Sequence, residues 1–197
     1  IISDEPYNLN KTVAFYSAME REIQQSKDES ISFEMTYWSW QSYTSSSFDA
    51  LSFPMVATCQ PEENNLHFNY LNGILKLSLT GNYSVSNITL IGNNNEILAG
   101  NATVTLDSDG SPSIQMIEDE FALSSVELIC ESAVQLNPET ATDFYISLPP
   151  TEFENGFTVI ITDSDDNQTT KTTNNLNSIK RSSILAMPKI DISEEIG

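Results

Sequence analysis

The sequence predicts an all-β protein folded as an antiparallel β-sandwich. Short segments place apolar residues at every second position, and clusters of Asn, Asp, Ser, Gly and Pro separate them at short intervals. Helical periodicity is hard to sustain anywhere after about residue 30. The 26 Ser, 17 Thr and 18 Asn against 7 Gly suit strands and turns that face water rather than helices.

The elements follow in order. Lys11 to Gln25 (KTVAFYSAMEREIQQ) fits an amphipathic helix or a strand over Thr12 to Ser17, and the strand is the preferred reading. Pro61 to Asn65 is acidic, Asn-rich and set between apolar blocks, so the expected boundary separates a partial or reduced N-terminal β domain, 1–62, from a complete C-terminal sandwich, 63–197. Gly73 to Gly81 (GILKLSLTG) puts Leu75, Leu77 and Leu79 on one face and Ile74, Lys76 and Ser78 on the other. Asn87 to Leu90 continues the pattern, Gly92 to Asn95 turns, and Ala102, Val104 and Leu106 alternate with Thr103 and Thr105 before a turn at Asp107 to Pro112. Val126, Leu128 and Cys130 share a face. Phe144, Ile146 and Leu148 form a strand that Pro149 and Pro150 end, because proline donates no ladder hydrogen bond. Phe157, Val159 and Ile161 lead through the polar Asp163 to Gln168 turn into Thr169 to Thr173, and Ile184 to Ile192 is the last apolar segment. Seven or eight strands are expected after residue 66.

Charge narrows the function. The chain of 197 residues has 28 acidic and 8 basic side chains, a formal net charge of −20. Eight scattered Lys and Arg build no basic face, which excludes nucleic acid and an anionic membrane surface as partners. No apolar run is long enough to span a bilayer as a helix. Ile1 stands where Met would begin a precursor, so the expectation is that any signal peptide was removed or never included. Cys59 and Cys130 are too far apart in sequence for a zinc or redox motif, and whether they pair is left open.

Candidate sites are few. Trp38 and Trp40, two apart on a strand with Tyr37 and Tyr43 nearby, would form an aromatic platform able to stack on sugar rings, although aromatics at strand spacing are more often core. Asp163, Asp165 and Asn167 take the first positions of a calcium loop, with a shorter version at Asp107, Asp109 and Gly110. Gln168 and Asn174 occupy positions where such a loop wants Gly and Glu, so a solvated turn is preferred and no metal site is assigned. His67 is the sole histidine, expected half exposed at a strand start. No nucleophile elbow, metalloprotease helix, phosphate loop or dinucleotide fingerprint occurs, and Glu118, Asp119 and Glu120 read as a turn; no catalytic residue, enzyme activity or cofactor is expected. The sequons at Asn10, Asn82, Asn87, Asn101 and Asn167 arise from composition.

From about Gln41 the order of phrases resembles the fimbrillin-like proteins, surface subunits of anaerobic Gram-negative bacteria. The phrases are QSYTSSSF and FPMVAT within 41–58, LHFNYLNGILKLSLTG at 66–81, ITLIGNNNEILAGNATV at 88–104 and SSVELIC at 124–130. DFYISLPPTEFENGFTVIITDSD at 143–165 and IKRSSILAMP at 179–188 complete about three quarters of the chain. Each is a generic strand with a turn; the shared order and spacing carry the resemblance. The chain departs at the front, where family members usually have a lipoprotein signal with its cysteine and a fuller first sandwich.

The resemblance implies transthyretin-like, Greek-key sandwiches and a non-catalytic structural or adhesive subunit of a fimbrium, or a component associated with one. It also implies a location on the extracellular side of the outer membrane, through a lipid anchor outside this chain. Partners would be other fimbrial subunits or host surface ligands, with assembly by strand donation into a neighbour's open groove. Ile184, Leu185, Met187, Ile190 and Ile192 mark the candidate donor or closing strand; the plainer expectation is that it completes its own domain. The alternative is a stand-alone surface lipoprotein that binds glycans through Tyr37, Trp38, Trp40 and Tyr43.

Overall fold

The computed structural model describes residues 12–16, 23–25, 31–59 and 65–193. Its strands, in chain order, are β1 (Thr12–Tyr16), β2 (Ile23–Gln25), β3 (Ile31–Tyr37), β4 (Trp40–Ser42), β5 (Met55–Cys59) and β6 (His67–Tyr70). β7 (Gly73–Thr80), β8 (Ser84–Gly92), β9 (Gly100–Leu106), β10 (Pro112–Met116), β11 (Ser125–Gln135) and β12 (Thr142–Leu148) follow. β13 (Thr151–Phe153), β14 (Phe157–Asp163), β15 (Gln168–Thr173), β16 (Asn177–Ile179), β17 (Ile184–Ala186) and β18 (Ile190–Asp191) complete the set. One 3-10 turn, Ala50–Ser52, is capped by Asp49, whose carboxylate accepts from the Leu51 and Ser52 side of the turn and from the Ser42 N–H. The protein is all-β, as the alternating pattern predicts.

Two cores organise the strands. The smaller lies between the sheet β1-β5-β6 and the sheet β10-β9-β3-β2. Alternate residues of β3 and β9 fill it, because Ile31, Phe33 and Met35 share a face with Ala102, Val104 and Leu106, and Phe15 packs edge-on against Phe33 at 4.7 Å. The larger lies between the five-stranded sheet β15-β14-β8-β11-β4 and the sheet β12-β7-β17, with β13 and β16 at one end. Leu75, Leu77 and Leu79 are buried there opposite Phe144 and Ile146, as are Val126, Leu128, Cys130, Phe157, Val159 and Ile161. Full burial of each such side chain is worth about 1.5–3 kcal/mol. The boundary expected at 61–65 falls between β5 and β6, which pair with each other, and residues 100–116 return to the sheet that contains β3.

Thirteen strands follow residue 66 among the described residues, against the seven or eight expected. β13, β16 and β17 have three residues each and β18 two, too few to show an alternation in sequence. Parallel pairing occurs at two edges: β4 on β11, and β17 followed by β18 on β7. The second has a local cause. Ser182 N–H donates to the Asn72 carbonyl and Ile74 N–H to the Ser183 carbonyl, so the chain enters this edge where β7 begins and must run alongside it. Gly156 closes the β13–β14 turn at φ 70°, a conformation that L side chains rarely adopt.

Candidate functional site

The tryptophans come together and the tyrosines leave them. β3 ends at Tyr37 and β4 starts at Trp40 in a different sheet, so the four aromatics do not lie on one continuous strand. Trp38 and Trp40 are 50% and 51% exposed, with ring centroids 6.2 Å apart and planes tilted by 52°. Tyr37 is buried in the smaller core, and Tyr43 packs on Phe144 at 5.0 Å at the margin of the larger one. The expected four-residue platform is therefore a two-residue one. Beside it lies a shallow surface depression lined in part by Trp38, Leu51, Pro54 and Gln41.

Trp40 also belongs to a larger surface. Register aligns Trp40 with Glu127, Thr89, Ile160 and Thr170 in one row across the outer face of the five-stranded sheet. On one side runs Ser125, Ile91, Thr158 and Thr172, and on the other Ser42, Ile129, Asn87, Thr162 and Gln168. These residues alternate with those that enter the larger core, so they face away from it. Glu127 is the one ionisable side chain in the three rows. Sequence reading missed this face. Its signal was present in the residues interleaved with Phe157, Val159 and Ile161, but the cross-strand register that joins five segments into rows is not written in any one of them.

The closing segment occupies the β7 edge of the larger sandwich. Ile184, Leu185 and Ala186 pair with Ile74, Leu75 and Lys76, and Ile190 and Asp191 pair with Leu79 and Thr80. Leu185, Met187 and Ile190 pack against the core, Ile192 is 2% exposed within it, and Ile184 points outward. Met187 N–H donates to the Lys76 carbonyl and Ile192 N–H to the Thr80 carbonyl, each at 3.0 Å.

The remaining candidates have local roles. The Asp163 carboxylate accepts from Asp165 N–H at 2.8 Å and from Asn167 N–H and Nδ2 at 2.9 Å, which holds its carboxyl below the ordinary range. Those oxygens organise the turn. Asp107 and Asp109 both accept from Ser111 N–H at 2.8 Å in the equivalent turn. Asp119 accepts from Phe121 N–H and Asn101 Nδ2 at 2.9 Å each, as expected of a turn. Among the described residues no three His, Cys, Asp or Glu side chains gather as metal ligands. Cys59 and Cys130 are both free thiols, in sheets of different cores, and burial pushes the Cys130 thiol up to about 11. His67 is exposed at the start of β6.

No family model matches the chain, and no curated protein does. Two crystal structures from Bacteroides ovatus ATCC 8483 are similar to it. One is of a candidate cell adhesion protein, with TM-score 0.46 and 10% identity over 87% of this chain. The chain spans 66% of that protein's length. The other is of a candidate adhesin, with TM-score 0.39 and 11% identity over 95% of this chain and 75% of that one.

Proposed function

We propose that the chain is a non-catalytic cell-surface structural and adhesive subunit that assembles by strand exchange. The carrying observation is the closing segment 184–192. It is a narrow ribbon attached by two short parallel pairings to one edge, and it fills the larger core with Leu185, Met187, Ile190 and Ile192. A groove that takes main-chain hydrogen bonds along one strand and apolar side chains at intervals is the chemistry of β-strand addition, and it serves a strand from another molecule as well as its own. The order of sequence phrases supports the same reading through its resemblance to fimbrillin-like subunits, which adds a place in a fimbrium, a transthyretin-like topology and an outer-membrane lipid anchor outside this chain. The negative charge keeps such a subunit soluble and favours partners that are neutral or basic at the contact.

In the fimbrillin-like family that the chain resembles, a protease removes an N-terminal strand before subunits polymerise, so trimming the full-length precursor with a trypsin-like protease tests assembly. The expected result is a ladder of denaturant-resistant oligomers by gel and light scattering. A product that stays monomeric at all concentrations overturns strand exchange.

A second reading has its own observation: Trp38 and Trp40 are half exposed and adjacent, a geometry suited to a sugar ring. Loss of glycan retention in the W38A/W40A variant, with an unchanged melting curve, supports it. Retained binding in that variant, or no glycan binding in the unmodified protein, sinks it.

A further inference from the structure

We infer that the outer face of the five-stranded sheet binds a neutral polysaccharide laid across the strands, from Trp40 on β4 to Thr170 on β15. This rests on the second reading above, the tryptophan pair as a sugar contact, and extends the contact over the whole sheet.

Charge supplies the first argument. Charged residues make up 18% of this chain, so the positions of the three rows would be expected to hold about two or three of them. The three rows nonetheless contain Glu127 alone among ionisable side chains. Outward-facing positions with a single charge suit an uncharged occupant. A nucleic acid or acidic glycan would need cations there, and a basic partner would need carboxylates.

The distribution of apolar groups supplies the second argument. The core of a protein–protein interface is a continuous apolar centre. Here Ile91, Ile129, Ile160 and Trp40 are dispersed, each flanked within its row or the next by Thr, Ser or Asn. Ile160 pairs with Thr89 on one side and Thr170 on the other. A pyranose ring offers the matching chemistry, apolar C–H faces bounded by hydroxyl edges. Thr158 Oγ1 donates to Asn93 Oδ1 at 2.8 Å and lies 3.0 Å from Thr172 Oγ1, so its proton is engaged within the face and its neighbours Thr170 and Thr89 carry the hydroxyls nearer the middle row. The five strands span about 19 Å at ~4.8 Å per strand, room for several sugar units in a line. Trp40 ends the row with Trp38 beside it, providing a stacking surface where a chain would leave the sheet.

The test is affinity electrophoresis of the intact chain through gels containing mixed-linkage β-glucan, xyloglucan, galactomannan or dextran, with alginate as the polyanion, and depletion on insoluble cellulose and chitin. At least one neutral polysaccharide is expected to bind and alginate is not. Ile160→Glu, Thr170→Glu and Trp40→Ala are each expected to weaken binding about tenfold or more. Thr170 is exposed on edge strand β15, so Thr170→Glu reports on binding with the melting curve unchanged even if Ile160→Glu unfolds the sheet. Loss of binding in the tryptophan variants with full binding in Thr170→Glu and in folded Ile160→Glu would overturn the extended face and leave the aromatic pair standing. Absence of binding to every probe overturns both. Self-association of the unmodified protein that Thr170→Glu abolishes would make the face a contact between copies and also overturn the inference.

Discussion

Gln41 holds the main chain of Ser147 from both sides: its Nε2 donates to the Ser147 carbonyl at 2.6 Å and its Oε1 accepts the Ser147 N–H at 2.9 Å. One amide side chain thus stands in for a neighbouring strand. It ties β4, at the edge of one sheet, to β12, at the edge of the opposing sheet, in the interior of the larger sandwich. Ser147 Oγ accepts from Asn72 Nδ2 at 2.6 Å and donates to the Ser52 carbonyl at 2.8 Å, which joins the 3-10 turn and the start of β7 to the same cluster.

Gln41→Leu keeps the volume and removes both bonds. Two buried main-chain groups then lack partners, at a cost of about 1–3 kcal/mol each. Urea unfolding is expected to show a loss of about 2–5 kcal/mol. A loss below about 0.5 kcal/mol would mean that the bridge is not formed in solution.

Gly156→Ala is expected to destabilise by about 2 kcal/mol or more, because φ is 70° and the added Cβ runs into the Thr173 carbonyl. At Gly81 an added Cβ meets side chains alone, Ile192 Cγ1 at 2.9 Å and Leu136 Cδ1 at 3.6 Å, so thermal melts should rank Gly156→Ala as the more destabilising of the two.

Asp163 sets the acid limit of its turn. Its carboxyl is held low by the Asn167 side chain and by the Asn167 and Asp165 N–H groups. A depressed carboxyl contributes stability above the unfolded value of about 3.9 and loses it as pH falls through the folded value. The stability gap between the parent and Asp163→Ala should therefore be constant near neutrality and narrow below about pH 4. Urea midpoints at a series of pH values check this. Excess chelator should leave the parent's melting temperature unchanged, since the oxygens that a cation would need are already engaged within the turn.

Cys130 is buried and its thiol is pushed up to about 11, whereas Cys59 is partly exposed. Iodoacetamide at neutral pH should label Cys59 in the folded protein and reach Cys130 only on unfolding. Mass spectrometry of timed samples decides it, and equal labelling rates would contradict the placement of Cys130.

Alternation made the strands legible. Leu75, Leu77 and Leu79, Phe144, Ile146 and Leu148, and Phe157, Val159 and Ile161 are all buried on the faces their spacing assigns. Partnership between strands was not legible. Ala102, Val104 and Leu106 read as one more alternating strand, yet beyond the hairpin with β10 they pair with Ile31, Phe33 and Met35 of the distant β3 and not with β8, the strand before them in sequence. Pairing across such separations depends on how whole faces fit, a property of the assembled sheets. For the same reason the sequence grouped Tyr37, Trp38, Trp40 and Tyr43, whereas the break after Tyr37 sends the first into one core and the last to the margin of the other. Gln41 gave no sign of its role, because a lone polar residue between apolar segments reads as exposed until Ser147 is placed opposite it.

Strand exchange requires that residues 184–192 close the larger sandwich of a different molecule. Lys76 and Ala186 are register partners across β7 and β17, close enough to accept an engineered disulfide. Lys76→Cys chains and Ala186→Cys chains, both lacking Cys59 and Cys130, would be mixed after protease trimming and oxidised. Strand exchange predicts a covalent dimer containing one chain of each kind, while the doubly substituted, untrimmed chain closes on itself as a monomer. Recovery of uncrosslinked single variants from the mixture, alongside full internal crosslinking of the double variant, would show that the strand serves only its own chain and would rule out strand exchange.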